Sequence, residues 1–302
     1  MKDDPTPAAC DPQFLRSVLG QILDRLHDQP SRTWSIIITF YGDALLPRGG
    51  SVWLGTLLSF FRGLDIAEGV VRTAVSRLAA DGWLQRTKVG RNSFYRLDDK
   101  GHDTFAEAAE RIYGWHAPEW DGQFRLVLPS QGNDREVVRA SLEAAGYGSP
   151  GPAMYVGLPS WPLPVPVQTE LTLSVGGGSD EMKELVVRSW PIEDLAELYR
   201  NFIATFEPLR AALAAGARPS EIDAITARII LIHEFRRIVL RDPSLPDAVL
   251  PDDWPGRAAR QLSGDLYRLL AVPSERWLDQ ALNEDGPLPR AAIDIGHRFR
   301  KN

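Results

Sequence analysis

Between Val71 and Leu97 stand Arg72, Arg77, Arg86, Lys88, Arg91 and Arg96. The only acid among them is Asp81, which leaves a local charge of +5. Guanidinium and ammonium groups at this density neutralise phosphates. An arginine can also grip the O6/N7 edge of guanine with two parallel N–H donors. The whole chain carries −6, so any affinity for a polyanion must come from where the charge sits. A basic stretch is also what an ordinary solvated surface shows, and the helical wheel argues between the two. At about 100° per residue, Val71, Ala74, Val75 and Leu78 share one side, while Gly69, Arg72, Thr73, Ser76, Arg77 and Ala80 share the other. The first set anchors a helix. The second is small, hydroxylated or cationic, as a helix lying in the major groove requires.

Such a helix needs a scaffold, and the surrounding pattern supplies one. Trp34 to Leu46 is apolar enough for a buried helix, and Pro47-Arg48-Gly49-Gly50 is a turn. Ser51 is placed to cap a second helix over Val52 to Arg62, and Gly63 ends it. The third helix runs from about Asp65 to Asp81, where Gly82 stops it. Trp83 to Lys88 and Ser93 to Leu97 alternate as two strands around Val89-Gly90-Arg91-Asn92. Helix, helix, helix and basic hairpin is the order of a winged helix-turn-helix. Arg86, Lys88 and Arg91 are then the phosphate contacts of its wing.

The remaining chain separates into three stretches. Asp11 to Asp28 reads as an amphipathic helix stopped by Gln29-Pro30-Ser31. Phe124 to Pro129, Ala153 to Leu158, Thr169 to Val175 and Leu185 to Trp190 read as strands, with a helix over Asp134 to Ala145 and a loose turn at Gly176 to Ser179. Together they suggest a small α+β domain, ferredoxin-like in layout. From Ile192 the chain is helical: to Gly216, from Pro219-Ser220 to about Arg241, and, after a Pro-rich segment, over Gly256 to Ala271 and Ser274 to Leu282. The expected fold class is α+β and multidomain. The expected bounds are a helical extension over 1–30, the winged helix-turn-helix over 31–115, the ferredoxin-like domain over 116–190 and an all-α domain over 191–302.

Several chemistries find no support. Cys10 is the only cysteine, so an intramolecular disulfide or a thiolate zinc cluster is not expected. His27, His102, His116, His233 and His297 make no metal-ligand spacing, and neither a Gly-x-Ser-x-Gly elbow nor a phosphate loop occurs. No enzyme, metal or cofactor is expected. No apolar run reaches the roughly 18 residues that span a bilayer, and no secretory leader opens the chain, so a cytoplasmic protein is expected. One further cationic group stands out. Arg236, Arg237 and Arg241 end a helix whose other face carries Ile225, Ile229 and Ile232. They would clamp ligand phosphates, or equally pair with Asp242, Asp252 or Asp253 and fasten the Pro-rich segment.

At these residues the sequence resembles the PaaX family of repressors of phenylacetate catabolism. One motif runs through Val70-Val71-Arg72-Thr73-Ala74-Val75-Ser76-Arg77-Leu78, Asp81-Gly82-Trp83-Leu84, Val89-Gly90-Arg91 and Tyr95-Arg96-Leu97. A second runs through His233-Glu234-Phe235-Arg236-Arg237, Asp242-Pro243-Ser244-Leu245-Pro246, Leu250-Pro251 and Asp253-Trp254-Pro255-Gly256. The resemblance implies a DNA-binding repressor, with Arg72, Thr73, Ser76 and Arg77 on the reading helix and double-stranded operator DNA as partner. It implies a homodimer formed through the ferredoxin-like domain, and release by an aryl-acyl-CoA such as phenylacetyl-CoA. His233, Arg236, Arg237 and Trp254 are the candidate effector residues. That middle domain is similar to the small CRISPR-associated nucleases of spacer acquisition, which makes a metal-dependent nuclease or RNA-processing enzyme the alternative. Those nucleases carry a metal-binding Asp at the end of the first strand, where this chain has Val127-Leu128-Pro129-Ser130.

Overall fold

The computed structural model describes residues 12–27, 33–114, 119–129, 135–167, 171–292 and 295–300. Cys10, Asp11, the Gln29-Pro30-Ser31 stop, His116, Ser130, Asp134 and Thr169 lie outside them. Helix α1 (Pro12–His27) buries Val18, Leu19 and Ile22 along one stripe. Helix α2 (Thr33–Phe40) widens into a π-helical turn, Tyr41–Leu45, before Pro47 ends it. Strand β1 (Ser51–Trp53), helices α3 (Leu54–Arg62) and α4 (Glu68–Ala80), strands β2 (Leu84–Val89) and β3 (Asn92–Leu97) and helix α5 (Asp99–Tyr113) follow. Next come β4 (Gln123–Leu128), α6 (Arg135–Ala144), β5 (Gly148–Gly151), β6 (Met154–Gly157), β7 (Leu171–Gly176) and α7 (Ser179–Ser189). The rest is α8 (Ile192–Ala214), α9 (Glu221–Val239), α10 (Gly256–Leu278) and a small hairpin, β8 (Leu282–Asn283) and β9 (Gly286–Pro287). It is a mixed α and β protein with several small sheets.

Three local expectations are corrected. Ser51 does not cap a helix: Ser51–Trp53 pairs with Arg96, Tyr95 and Phe94 as the third strand of the sheet β1-β3-β2, and α3 begins only at Leu54. Ladder bonds and the complete burial of Val52 outweigh the capping signal. Leu185 to Ser189 is helical, not a strand, and Trp190 follows as its extended C-cap. The apolar period starts earlier, at Met182 and Val186 four residues on, and Asp180 and Glu181 suit the first turn. Pro273 does not divide α10. It removes one backbone donor, while Leu270, Ser274 and Leu278 keep a continuous buried stripe across it. Gly148-Ser149-Pro150-Gly151 forms β5, at a sheet edge where proline is tolerated.

The chain folds into two compact units that do not follow chain order. The first comprises Met1–Trp115, Asn201–Arg237 and Ala258–Asn302, so the α2-to-α5 region shares a unit with most of the C-terminal helices. Phe40 meets Phe60 at 4.6 Å between ring centroids and Trp277 edge-on at 6.3 Å. The last segment returns to the same unit, where Ala292 N–H donates to Pro47 O and Phe299 N–H to Tyr113 O.

At the centre of this unit lies a charge network. Asp43, fully buried on the π-helical turn, accepts from Tyr113 Oη at 2.6 Å, Arg228 Nε at 2.7 Å, Arg298 Nη1 at 2.8 Å and Tyr267 Oη at 3.1 Å. Arg228 also binds Glu275 at 2.6 Å, and Arg48 binds Glu275 at 2.5 Å and Asp279 at 2.8 Å. Three arginines thus meet three carboxylates. Burial alone would depress the Arg228 pKa, but Asp43, Tyr267 and Glu275 outweigh it and hold the guanidinium charged.

The second unit comprises His116–Arg200 and Ile238–Arg257. Its sheet is antiparallel throughout, in the order β5-β6-β4-β7. Val127 on β4, Tyr155 on β6 and Val138 and Leu142 on α6 form its core with Tyr147 and Val167. Trp190 Nε1 donates to Gly146 O at 2.9 Å and places the indole against β5. A Cβ on Gly148 would stand 2.6 Å from Ser189 O and 2.5 Å from the Trp190 ring, so backbone must shift to admit one. Gly148→Ala is therefore expected to lower stability by about 1–3 kcal/mol. Urea unfolding measures this, and a change below the error of the method would show that β5 yields freely.

Candidate nucleic-acid interface

Helix α4 is held from below and open above. Val71, Val75 and Leu78 are buried, while Gly69, Arg72, Thr73, Ser76, Arg77 and Ala80 are all exposed. Trp83 N–H donates to Leu78 O and turns the chain at Gly82, whose φ of 73° suits a glycine helix stop. Thr73 Oγ1 donates back to Gly69 O at 2.9 Å, leaving its lone pairs and methyl outward. Arg72 pairs with Glu68 at 3.6 Å and Arg77 with Asp81 at 3.8 Å. These exposed i,i+4 pairs contribute roughly 0.3–0.5 kcal/mol each, so a polyanion displaces them easily while they pre-aim the guanidiniums.

The hairpin supplies the second half. Strands β2 and β3 pair from Leu84↔Leu97 to Val89↔Asn92, which leaves Gly90-Arg91 as the two-residue turn. Directly opposed residues share a face, so Arg86 and Lys88 lie with Tyr95 and Ser93, and Arg96 lies on the other face with Gln85. Arg86 Nη2 donates to Ser93 Oγ at 2.8 Å, and Arg96 Nε to Gln85 Oε1 at 3.2 Å. The hairpin is moored to the domain by Tyr41 Oη, which donates to Tyr95 O at 2.9 Å. The structure places Arg72, Thr73, Ser76, Arg77, Arg86, Lys88 and Arg91 at exposed positions of one unit.

The four candidate effector residues are distributed differently. His233, Arg236 and Arg237 lie on α9 in the first unit and Trp254 in the second, so the structure does not bring the four together within one unit. His233 is 1% exposed, with Nδ1 3.0 Å from Thr39 Oγ1. The Thr39 hydroxyl already donates to Ser35 O, so it accepts from His233, whose proton sits on Nδ1. Arg236 Nη2 binds Ser35 Oγ at 2.8 Å and Ser35 O at 3.1 Å, and its buried Nε has no partner. Arg237 binds Glu234 at 3.1 Å. In the second unit, Asp252 takes Lys183 at 2.8 Å, Asp253 takes Arg200 at 3.7 Å, and Asp242 accepts from Tyr199 Oη at 2.8 Å. Trp254 packs edge-on against Tyr199, 5.7 Å away.

Burial, then Arg236 and Arg237, pulls the His233 pKa down to about 3. Glu234 Oε1 at 3.7 Å from Nε2 does not reverse this. The folded state thus holds the neutral ring while the unfolded chain binds a proton near pH 6.5. The stabilisation is complete above that value and is lost as pH falls toward 3, by up to about 1.4 kcal/mol per unit. His233→Gln should remove that slope between pH 6.5 and 5 in urea unfolding. An unchanged slope would mean that other groups carry the acid response.

The transcriptional repressor PaaX of Escherichia coli strain K12 is 35% identical over 284 residues, which cover 88% of this chain and 89% of that one. This chain belongs to the PaaX family. The PaaX-like protein pattern matches residues 32–101, which hold α4 and the hairpin, and the PaaX-like C-terminal domain matches residues 190–280, which hold α8 to α10. A solved structure, the uncharacterized protein Rv0674 from Mycobacterium tuberculosis, superposes with a TM-score of 0.52 at 19% identity. It covers 87% of this PaaX-family chain and 97% of its own, and so shares its fold. Residues 281–300, with Arg298 and its bond to Asp43, lie beyond both family patterns. No spacing rule could have marked Asp43 or Arg298, because their partners are scattered along the chain. Among the described residues no three His, Cys, Asp or Glu gather as metal ligands, and no helix is long and apolar enough to cross a membrane.

Proposed function

We propose that this protein is a DNA-binding transcriptional repressor that lays α4 in the major groove and holds the flanking phosphates with the β2–β3 hairpin. The observation that carries this reading is the helix itself: an apolar underside fully buried, an exposed face of small, hydroxyl and guanidinium side chains, and a basic hairpin directly after it. The family supports it, since the PaaX relative is named a transcriptional repressor. Helices α2, α3 and α4 followed by a hairpin that β1 completes match the order of a winged helix-turn-helix. The strand order β5-β6-β4-β7 matches a ferredoxin-like sheet, with the second crossover helix reduced to a short turn at Val165–Val167. Edge strand β7 exposes Leu171 and Leu173, 58% and 46%, which favours a homodimer that reads two half-sites. The effector of this reading is an aryl-acyl-CoA of the phenylacetyl-CoA type. Arg236, whose buried Nε has no partner, is the first cation to test for its phosphates, and the compartment is the cytoplasm.

Selection of duplex fragments from a random library tests the function. The expected result is an inverted repeat whose binding weakens steeply with salt. Lys88→Ala or Arg91→Ala should weaken every duplex alike and reduce the log–log salt slope by about one unit each. A folded protein that enriches no motif and binds duplex DNA no better than an acidic control would end the proposal.

A further inference from the structure

Helix α4 carries one side chain that its packing does not explain. Val71, Val75 and Leu78 are buried beneath it, whereas Val70 is 50% exposed. A single exposed valine is ordinary on a protein surface, and only its place sets this one apart. A β-branched side chain loses rotamer freedom in a helix, and here it gains little burial in return. At about 100° per residue, Val70 lies within about 60° of both Thr73 and Arg77 and on the opposite margin of the exposed face from Arg72. Thr73 Oγ1 is turned back to Gly69 O, so the Thr73 methyl continues the apolar strip that Val70 begins. Glu68 and Arg72, paired at 3.6 Å, stand on the other side of the helix.

Gly69 adds a second observation. It lies in the first turn of α4 and is exposed, and a Cβ added there would meet nothing within 4 Å. Interior packing therefore does not call for a glycine, which weakens a helix. Close approach of an outside body does call for one. The first turn, which also holds Val70, is thus where α4 comes nearest to what it binds.

The chemistry of the major groove limits what a valine can do there. Base pairs offer N–H donors and N or O acceptors, which an isopropyl group would strip of water without replacing it. The exception is the C5 methyl of thymine, an apolar group on the base edge. We propose that Val70 is a specificity-determining residue that packs on the C5 methyl of a thymine in the bound duplex, with the Thr73 methyl beside it. The assignment rests on the repressor function proposed above and adds to it a preference for thymine under the first turn of α4.

The test uses the full chain and the duplex that the library selection returns. Each thymine is replaced in turn by deoxyuridine, which keeps the base pairing and removes only the C5 methyl. Wild type should lose about 2- to 10-fold in affinity at one position of each repeat, the value of one buried methyl. Val70→Ala should bind the thymine duplex that much more weakly and lose nothing further with deoxyuridine at that position, while its response at the other thymines equals wild type. Val70→Ile, which keeps a branched apolar side chain, should restore the methyl sensitivity. Val70→Ala should also melt no lower than wild type, which separates a lost contact from a lost fold. A wild type indifferent to every deoxyuridine, or a Val70→Ala variant with the wild-type deoxyuridine profile, would overturn the role of Val70 and leave the repressor function standing. A selection that returns no motif would end the repressor function and Val70 with it.

Discussion

Asp43→Ala is expected to lower the unfolding free energy by about 3–5 kcal/mol, the largest loss expected for a buried polar group of this fold. The carboxylate accepts from two arginines and two tyrosines, and the site is closed to solvent. Removing it leaves Arg228, fully buried, with Glu275 alone, and Arg298 over the Tyr113 ring without its anion. The cost arises chiefly from the buried charge left behind, not from the bonds lost. Asp43→Asn, which keeps the shape but not the charge, should fall between wild type and Ala. Glu275→Ala should cost less, because that carboxylate is partly solvated. Urea-unfolding midpoints at constant m-value check the order. A loss under about 1 kcal/mol for Asp43→Ala would show that the surrounding groups repack and that the network is dispensable.

Arg72→Ala combined with Arg77→Ala is expected to abolish sequence discrimination while leaving the fold intact. Each guanidinium that grips a guanine contributes about 1–3 kcal/mol against the wrong base, so the loss is roughly tenfold to more than a hundredfold per contact. Their intramolecular partners, Glu68 and Asp81, are exposed, and breaking those pairs costs little stability. Leu78→Ala provides the contrast: it removes a buried anchor of α4 and should lower stability by about 2–5 kcal/mol, with affinity falling only through the fold. Fluorescence anisotropy against operator and scrambled duplexes separates the two. A folded double variant that keeps wild-type operator preference would remove α4 from base recognition and leave the hairpin as a general anion binder.

Helix α4 and its hairpin were legible because their determinants are local. Val71, Val75 and Leu78 recur at helical spacing, Gly82 stops the helix, and Gly90 sits in a two-residue turn between alternating strands. Each of these is a property of neighbours along the chain, and the basic residues follow from composition alone. The same locality explains where the expectations failed. A serine before an apolar run looks like a cap whether or not a strand waits at Arg96 to claim it, and a proline looks like a helix end whether or not a buried stripe spans it.

What only the tertiary structure decided is pairing over long separations. Asp43 finds Arg228 and Arg298, His233 finds Thr39, and Arg236 finds Ser35, each across more than 180 positions of chain. Charge and spacing on α9 marked cations but did not distinguish a ligand clamp from an internal tie, because both need the same side chains and differ only in what stands opposite. The sequence determined by itself the helix, the hairpin and their charge. The division of the chain into units and the buried arginine network exist only where distant segments meet. Burial sets their energetics, and burial is a property of the whole fold.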